Sequence, residues 1–144
     1  MAPSSKVSQP EYAIFGIGSH LFFAYLNSIA PRTWLERIED ILICAHNIQD
    51  FTKGMSLDDF LEDPRTSHAV AFEFTTMGEA ARAMPTEVQK RYPHLPWDKM
   101  QAIRNVLVHE YFRIDEEILW RASQEDIPPL IPVLEEILRQ NPTD

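Results

Sequence analysis

Cysteine, glycine and basic charge are all scarce in this chain, and each scarcity narrows what it can be. The single cysteine, Cys44, excludes an intramolecular disulfide. It sits among apolar residues of a predicted helix, where an inert core thiol is expected rather than a nucleophile. No Cys/His cluster has zinc spacing, no glycine-rich phosphate loop is present, and no Ser-His-Asp order can be proposed. His94 and His109 with distant carboxylates could be combined as metal ligands, but nothing specifically supports that, and no metal or cofactor is expected. With only four glycines, and eleven prolines mostly at segment edges, the pattern is one of helices punctuated by turns. Strand alternation and internal repeats are both missing.

Long apolar runs are missing as well. Tyr12 to Ala30 carries no Lys, Arg, Asp or Glu, yet Gly16, Gly18, Ser19 and His20 interrupt it. A membrane span needs about 18–20 consistently apolar residues, so none is expected. Ser28-Ile29-Ala30 superficially resembles a signal-peptide cleavage site. Glu11 ahead of the run and Pro31 after it argue against export. Residues 1–33 therefore read as a variable arm, partly helical, that covers apolar surface, ahead of a single domain over residues 34–144.

Basic residues are few, and the net charge is −9, a poor balance for a protein that binds nucleic acid by neutralising phosphates. The charge is uneven, however. Between Arg82 and Arg121 there are seven Lys/Arg against six Asp/Glu, a balance of +1, while the remainder holds six against sixteen, a balance of −10. Arg82, Lys90, Arg91, Lys99, Arg104 and Arg113 could form a local basic strip on an acidic body. Such a strip suits a small contact with structured RNA, and the acidic remainder suits a partner protein.

What the chain does contain is a series of helix signals. Thr33-x-x-Glu36 is a capping box for a first long helix with Leu35, Ile38, Leu42, Ala45 and Ile48 as its core stripe and Gly54 as its stop. Ser56 with Asp58 and Asp59 begins a short helix. Asp63-Pro64 caps and starts a second long helix that runs to about Met84. In it Gly78, Ala80 and Ala81 allow close helix approach, and Glu79 reads as a buried hydrogen-bond partner rather than a catalytic acid. A short helix near Thr86–Arg91 leads to a Pro93/Pro96 corner, and Asp115 and Asp126 are candidate caps for two closing helices. The fold class predicted is all-α, an up-and-down bundle of three or four long helices plus short ones.

The most informative stretch follows the proline corner: Arg104-Asn105-Val106-Leu107-Val108-His109-Glu110-Tyr111. Residues 96–114 have apolar side chains at helical spacing without an internal breaker. At about 100° per residue, with Arg104 at zero, Met100, Ile103, Val106 and Leu107 fall in an arc from roughly 200° to 320° and form the predicted buried face. Asn105 and His109 fall near 100° and 140°, and Tyr111 returns to within about 20° of Arg104. Glu110 falls among the core residues, which calls for a salt bridge or a helix that ends there. An always-charged planar fork suits phosphate oxygens, and an imidazole that titrates near neutrality can move a proton. Together they are the minimum for cleaving RNA without metal, since one group handles the 2′-OH or leaving-oxygen proton while the cation stabilises the phosphorane. On an isolated helix the same residues also describe an ordinary solvated face.

The Arg-x4-His-x-Tyr arrangement at Arg104, His109 and Tyr111 resembles the signature of the HEPN superfamily, specifically its HepT-type toxin branch. Further segments agree with that resemblance: Arg37-Ile38-Glu39-Asp40-Ile41-Leu42, Met77-Gly78-Glu79-Ala80-Ala81, Tyr92-Pro93-His94-Leu95-Pro96-Trp97, and, in the tail, Ile114-Asp115 through Leu119-Trp120 and Glu125-Asp126-Ile127-Pro128. The match runs from about Trp34 to about Leu138. The resemblance implies a cytoplasmic, metal-independent endoribonuclease acting on tRNA or mRNA, the toxin of a toxin–antitoxin pair. It also implies a homodimer, or larger even-numbered oligomer, that joins two motifs in one cleft. On this chain Arg104 would bind the phosphate, His109 would be the acid/base group and Asn105 would support them, with Arg82, Lys99 and Arg113 as RNA contacts. Tyr111 would accept AMP from a cognate MntA-like nucleotidyltransferase antitoxin. Two other classes stay open: a non-catalytic HEPN module that partners a nucleotidyltransferase, and a structural bundle that assembles through its N-terminal arm.

Overall fold

Short-range capping chemistry decides where the helices begin. In the computed structural model, which describes residues 32–110 and 115–142, Thr33 Oγ1 accepts from the Glu36 amide at 3.2 Å and Glu36 returns a bond to the Thr33 amide at 2.6 Å. This capping box opens α1 (Trp34–Thr52). Gly54, at φ +75°, lets the chain turn away after α1 in a conformation that a side chain would strain. Ser56 and Asp59 form a second capping box at the head of α2 (Leu57–Glu62). Asp63 then closes α2 and caps α3 (Pro64–Arg82), its carboxylate accepting from the Arg65 and Thr66 amides and from the Thr66 hydroxyl. These bonds hold the Asp59 and Asp63 carboxyls below the ordinary carboxylate range.

The rest of the described chain is α4 (Thr86–Arg91), α5 (Trp97–His109), α6 (Glu116–Glu125) and α7 (Ile127–Gln140). Asp115 caps α6 as its spacing predicts. Asp126 stands at the head of α7 but makes no cap bond, because its backbone is already helical and its carboxylate meets Lys99 at 3.5 Å. No strand occurs among the described residues, and the bundle is the all-α one expected.

α3 is the central element. It packs against α1 on one side and α5 on the other, and α7 closes against α1. The core is built from Ile38, Ile41, Ala45 and Ile48 of α1, Val70, Phe74, Met77 and Ala81 of α3, and Leu130, Leu134 and Ile137 of α7. Leu35 and Leu42, expected in the core stripe, are only half-buried, because the buried face of α1 centres on Ile41 and Ile48 instead. Phe60 joins α2 to α6 by its ring contact with Trp120, centroids 5.4 Å apart. Cys44 is buried beside Glu73, and desolvation, with the carboxylate adding to it, pushes its thiol up to about 12. That is the inert core thiol expected of it. Residues 1–31 of the predicted N-terminal arm, with its apolar run and the Ser28-Ile29-Ala30 segment, lie outside the described residues. Among the described residues no helix is long and apolar enough to cross a membrane.

Candidate functional site

Gly78 on α3 is the point from which the site is built. A Cβ there would collide with Arg104 Cβ and lie 2.6 Å from the Met100 carbonyl oxygen. The missing side chain therefore lets α5 lie directly on α3, with the stem of Arg104 over the glycine. The next residue, Glu79, reaches the other end of that side chain and pairs with Arg104 Nη2. Arg104 Nη1 donates to Asn105 Oδ1 at 3.1 Å. Its Nε is buried and has no hydrogen-bond partner among the described residues. The Arg104 side chain is only 15% exposed, against 48% for Glu79.

This corrects two expectations. Arg104 does not stand away from the buried face of its helix. Trp97, Met100 and Leu107 are the buried residues of α5, with Ile103 and Arg104 half-buried beside them, while Val106 is 48% exposed. The buried face is rotated toward Arg104, because the close approach at Gly78 takes in the aliphatic stem of the arginine. Glu79, in turn, is not buried. It lies at the rim of the α3–α5 contact and meets Arg104 by its charge.

Asn105 and His109, an i,i+4 pair, are both exposed, and His109 is the last residue of α5. Glu110 is the C-cap, its amide donating to the Val106 carbonyl at 2.8 Å. The helix ending there accounts for a glutamate among apolar positions. Tyr111 and Arg113 lie outside the described residues.

The predicted basic strip is divided among separate partners. Arg91 lies over the Trp34 ring at 5.7 Å, Lys99 meets Asp126, and Arg104 meets Glu79. Arg82 is exposed in the last turn of α3. Lys90 and Lys99 line a shared open cavity of about 450 Å³ with Thr86, Pro93 and Trp97. His94 is exposed, edge-on to Tyr92 with centroids 6.2 Å apart. Among the described residues no three His, Cys, Asp or Glu side chains gather as a metal site.

A partly sheltered guanidinium, braced by a carboxylate and an amide and followed by an exposed imidazole on the same helix, suits binding and proton transfer at a phosphodiester. The family model described as "Ribonuclease HepT-like" matches residues 41–137, from the middle of α1 to near the end of α7. The chain belongs to the HepT-like ribonuclease family. "Probable ribonuclease HepT" of Thermococcus cleftensis is 35% identical over 99 residues, 69% of this chain and 90% of that protein. "Putative RNase MJ0127" of Methanocaldococcus jannaschii is 38% identical over 100 residues, 69% of this chain and 83% of its own length. "Putative RNase TTE0752" of Caldanaerobacter subterraneus is 33% identical over 110 residues, 76% and 96% of the two chains. No solved structure matches the chain significantly. The HepT-like stretch contains Gly78, Glu79, Arg104, Asn105 and His109 together. Residue types and spacing single out the last three as candidates, and Gly78 as a point of close helix approach. They assign Glu79 to a buried hydrogen bond, because nothing local shows that its carboxylate meets an arginine on another helix.

Proposed function

We propose that this HepT-like protein is a metal-independent RNA endonuclease, the toxin of a toxin–antitoxin pair, in which Arg104 and His109 act on one phosphodiester. The observation that carries this reading is the bracing of Arg104. Of its five N–H donors, one goes to Glu79, one to Asn105 and the Nε donor has no acceptor among the described residues. One N–H remains on each terminal nitrogen, enough to hold two phosphate oxygens. His109 stands exposed about one and a half turns along the same helix.

In this mechanism a neutral imidazole takes the 2′-OH proton as the 2′-oxygen attacks phosphorus. The bond to the 5′-oxygen breaks, and that oxygen receives a proton from an imidazolium. The products are a 2′,3′-cyclic phosphate and a 5′-hydroxyl, and the arginine stabilises charge on the phosphorane between them. A homodimer that apposes two α5 helices would supply one His109 as base and the other as acid. The substrate class is tRNA or mRNA in the cytoplasm, with Arg82, Lys99 and Arg113 as candidate backbone contacts.

Control by modification rests on the resemblance alone. An MntA-like nucleotidyltransferase would join the Tyr111 oxygen to the α-phosphorus of ATP and release pyrophosphate. The AMP so attached would carry negative charge beside the cleft and repel RNA.

The deciding experiment incubates the purified protein with total RNA in EDTA. Cleavage with cyclic phosphate ends is expected. Arg104→Ala and His109→Ala are each expected to lower the rate by about 10²-fold or more, with the double variant little worse than either single one. Undiminished cleavage by either variant refutes the assignment, and activity that needs an added divalent ion moves the site to another mechanism. With the nucleotidyltransferase and ATP, Tyr111→Phe should escape both the mass gain and the silencing.

A further inference from the structure

We propose that Gly78 and Glu79 of α3 form a seat that positions the Arg104 guanidinium for the transition state, with Glu79 a positioning residue rather than a reacting one. The proposal rests on the ribonuclease reading of Arg104 and adds a second helix to the site. Three observations carry it. The stem of Arg104 lies on a backbone surface with no room for a Cβ at Gly78. The head of the same side chain pairs with the next residue, Glu79. The remaining brace, from Nη1 to Asn105, comes from its own helix.

An arginine side chain has four rotatable bonds, and a free one spreads its charge over many geometries. Here the stem is confined by packing and one terminal nitrogen by a carboxylate across the interface. The other terminal nitrogen is confined by an amide, so the plane of the fork is set. A guanidinium on a side chain that is only 15% exposed, with its Nε buried, also needs a counter-charge, since sheltering an unpaired cation is costly. Glu79 supplies it from the rim, where its own carboxylate stays half in water. Reaction rates are sensitive to such placement, and a shift of about 1 Å can cost about 10²-fold.

The competing outcome is that Glu79 obstructs the site, because a carboxylate on the guanidinium occupies a donor and repels an incoming phosphate. The geometry favours positioning, because the two terminal N–H groups not engaged by Glu79 or Asn105 remain available. The two outcomes have opposite signs, so one set of variants separates them.

The test uses full-length Glu79→Gln, Glu79→Ala, Arg104→Ala and the Glu79→Ala/Arg104→Ala pair on a fluorogenic ribo-oligonucleotide. Thermal melts establish that each variant is folded. Glu79→Ala is expected to lower kcat by about 10- to 100-fold with a smaller change in KM. Glu79→Gln, which keeps an acceptor, should recover part of that loss. In the Arg104→Ala background the loss of Glu79 should cost nothing further, which a merely structural role would not produce. Equal or faster turnover in Glu79→Ala overturns the proposal, as does a loss that persists undiminished without Arg104. A second readout does not depend on cleavage. In ¹⁵N spectra the Arg104 side-chain resonance, identified by its absence in Arg104→Ala, should shift and exchange faster with water in Glu79→Gln. An unchanged resonance overturns the seat even if the protein cleaves no RNA, whereas absence of cleavage with the expected shift refutes only the ribonuclease reading.

Discussion

α1 and α5 flank the same central helix, yet they are held in different ways. α1 is closed at its head by a reciprocal capping box and is followed by a glycine turn at positive φ, and its polar side chains at that end are used in making the helix. α5 begins at Pro96 with no side-chain cap bond and ends at Glu110. Val106 and Val108 remain exposed near its end. Its Arg, Asn and His are not engaged in capping. The helix on which the proposed chemistry rests thus relies on contact with α3 rather than on its own termini, and its Asn105 and His109 stay exposed.

If that contrast is correct, damage to the scaffold and damage to the α3–α5 seat should differ in kind. The largest stability effect should come from Phe60→Ala, which empties a fully buried position against Trp120. A loss of about 3–5 kcal/mol is expected in urea unfolding, with turnover per folded molecule unchanged. A loss under about 1 kcal/mol would show that α2 and α6 are not part of the stable half.

Gly78→Ala is expected to be milder in stability but worse for chemistry. The added methyl meets Arg104 and the Met100 carbonyl, an overpacking that costs about 1–3 kcal/mol. Turnover should fall further than the melting temperature accounts for. If the variant is as active and as stable as the natural protein, the seat is not tight and the contrast fails.

Thr33→Ala removes half of the α1 capping box and should cost about 1 kcal/mol, with no effect on cleavage by folded protein. A change in kcat here would mean that α1 and α5 are not independent.

The smallest effect at neutral pH concerns Cys44. Burial pushes its folded thiol up to about 12, above the ordinary thiol value of 9.0. The folded state therefore keeps a proton that the unfolded state gives up. This contribution to stability is complete below pH 9 and is lost as pH rises from there toward 12. Native protein should accordingly resist alkylation at pH 8, and unfolded protein should react at once. Rapid labelling of the native state would place the thiol nearer the surface than the fold has it.

Much of the fold was legible because helix ends are local. Thr33/Glu36, Ser56/Asp59, Asp63/Pro64 and Asp115 each act within three residues, so the chemistry of a few neighbours suffices. Asp126 was not legible in that way, since Lys99 takes its carboxylate. For the site, Arg104, Asn105 and His109 could be named from residue types and spacing, and membership of the HepT-like family agrees with the resemblance they carry. The direction in which Arg104 faces could not be read. A helical projection sorts polar from apolar residues, and it sent Arg104 outward and Val106 inward.

The helices, their order and the identity of the charged and titratable groups on α5 can be read from the residues alone, because capping and periodicity act over one or two turns. That Arg104 turns toward α3, lies on Gly78 and meets Glu79 emerges only when the two helices pack. That choice depends on how closely two helices can approach, and the closeness is set by an absent side chain on the neighbouring helix.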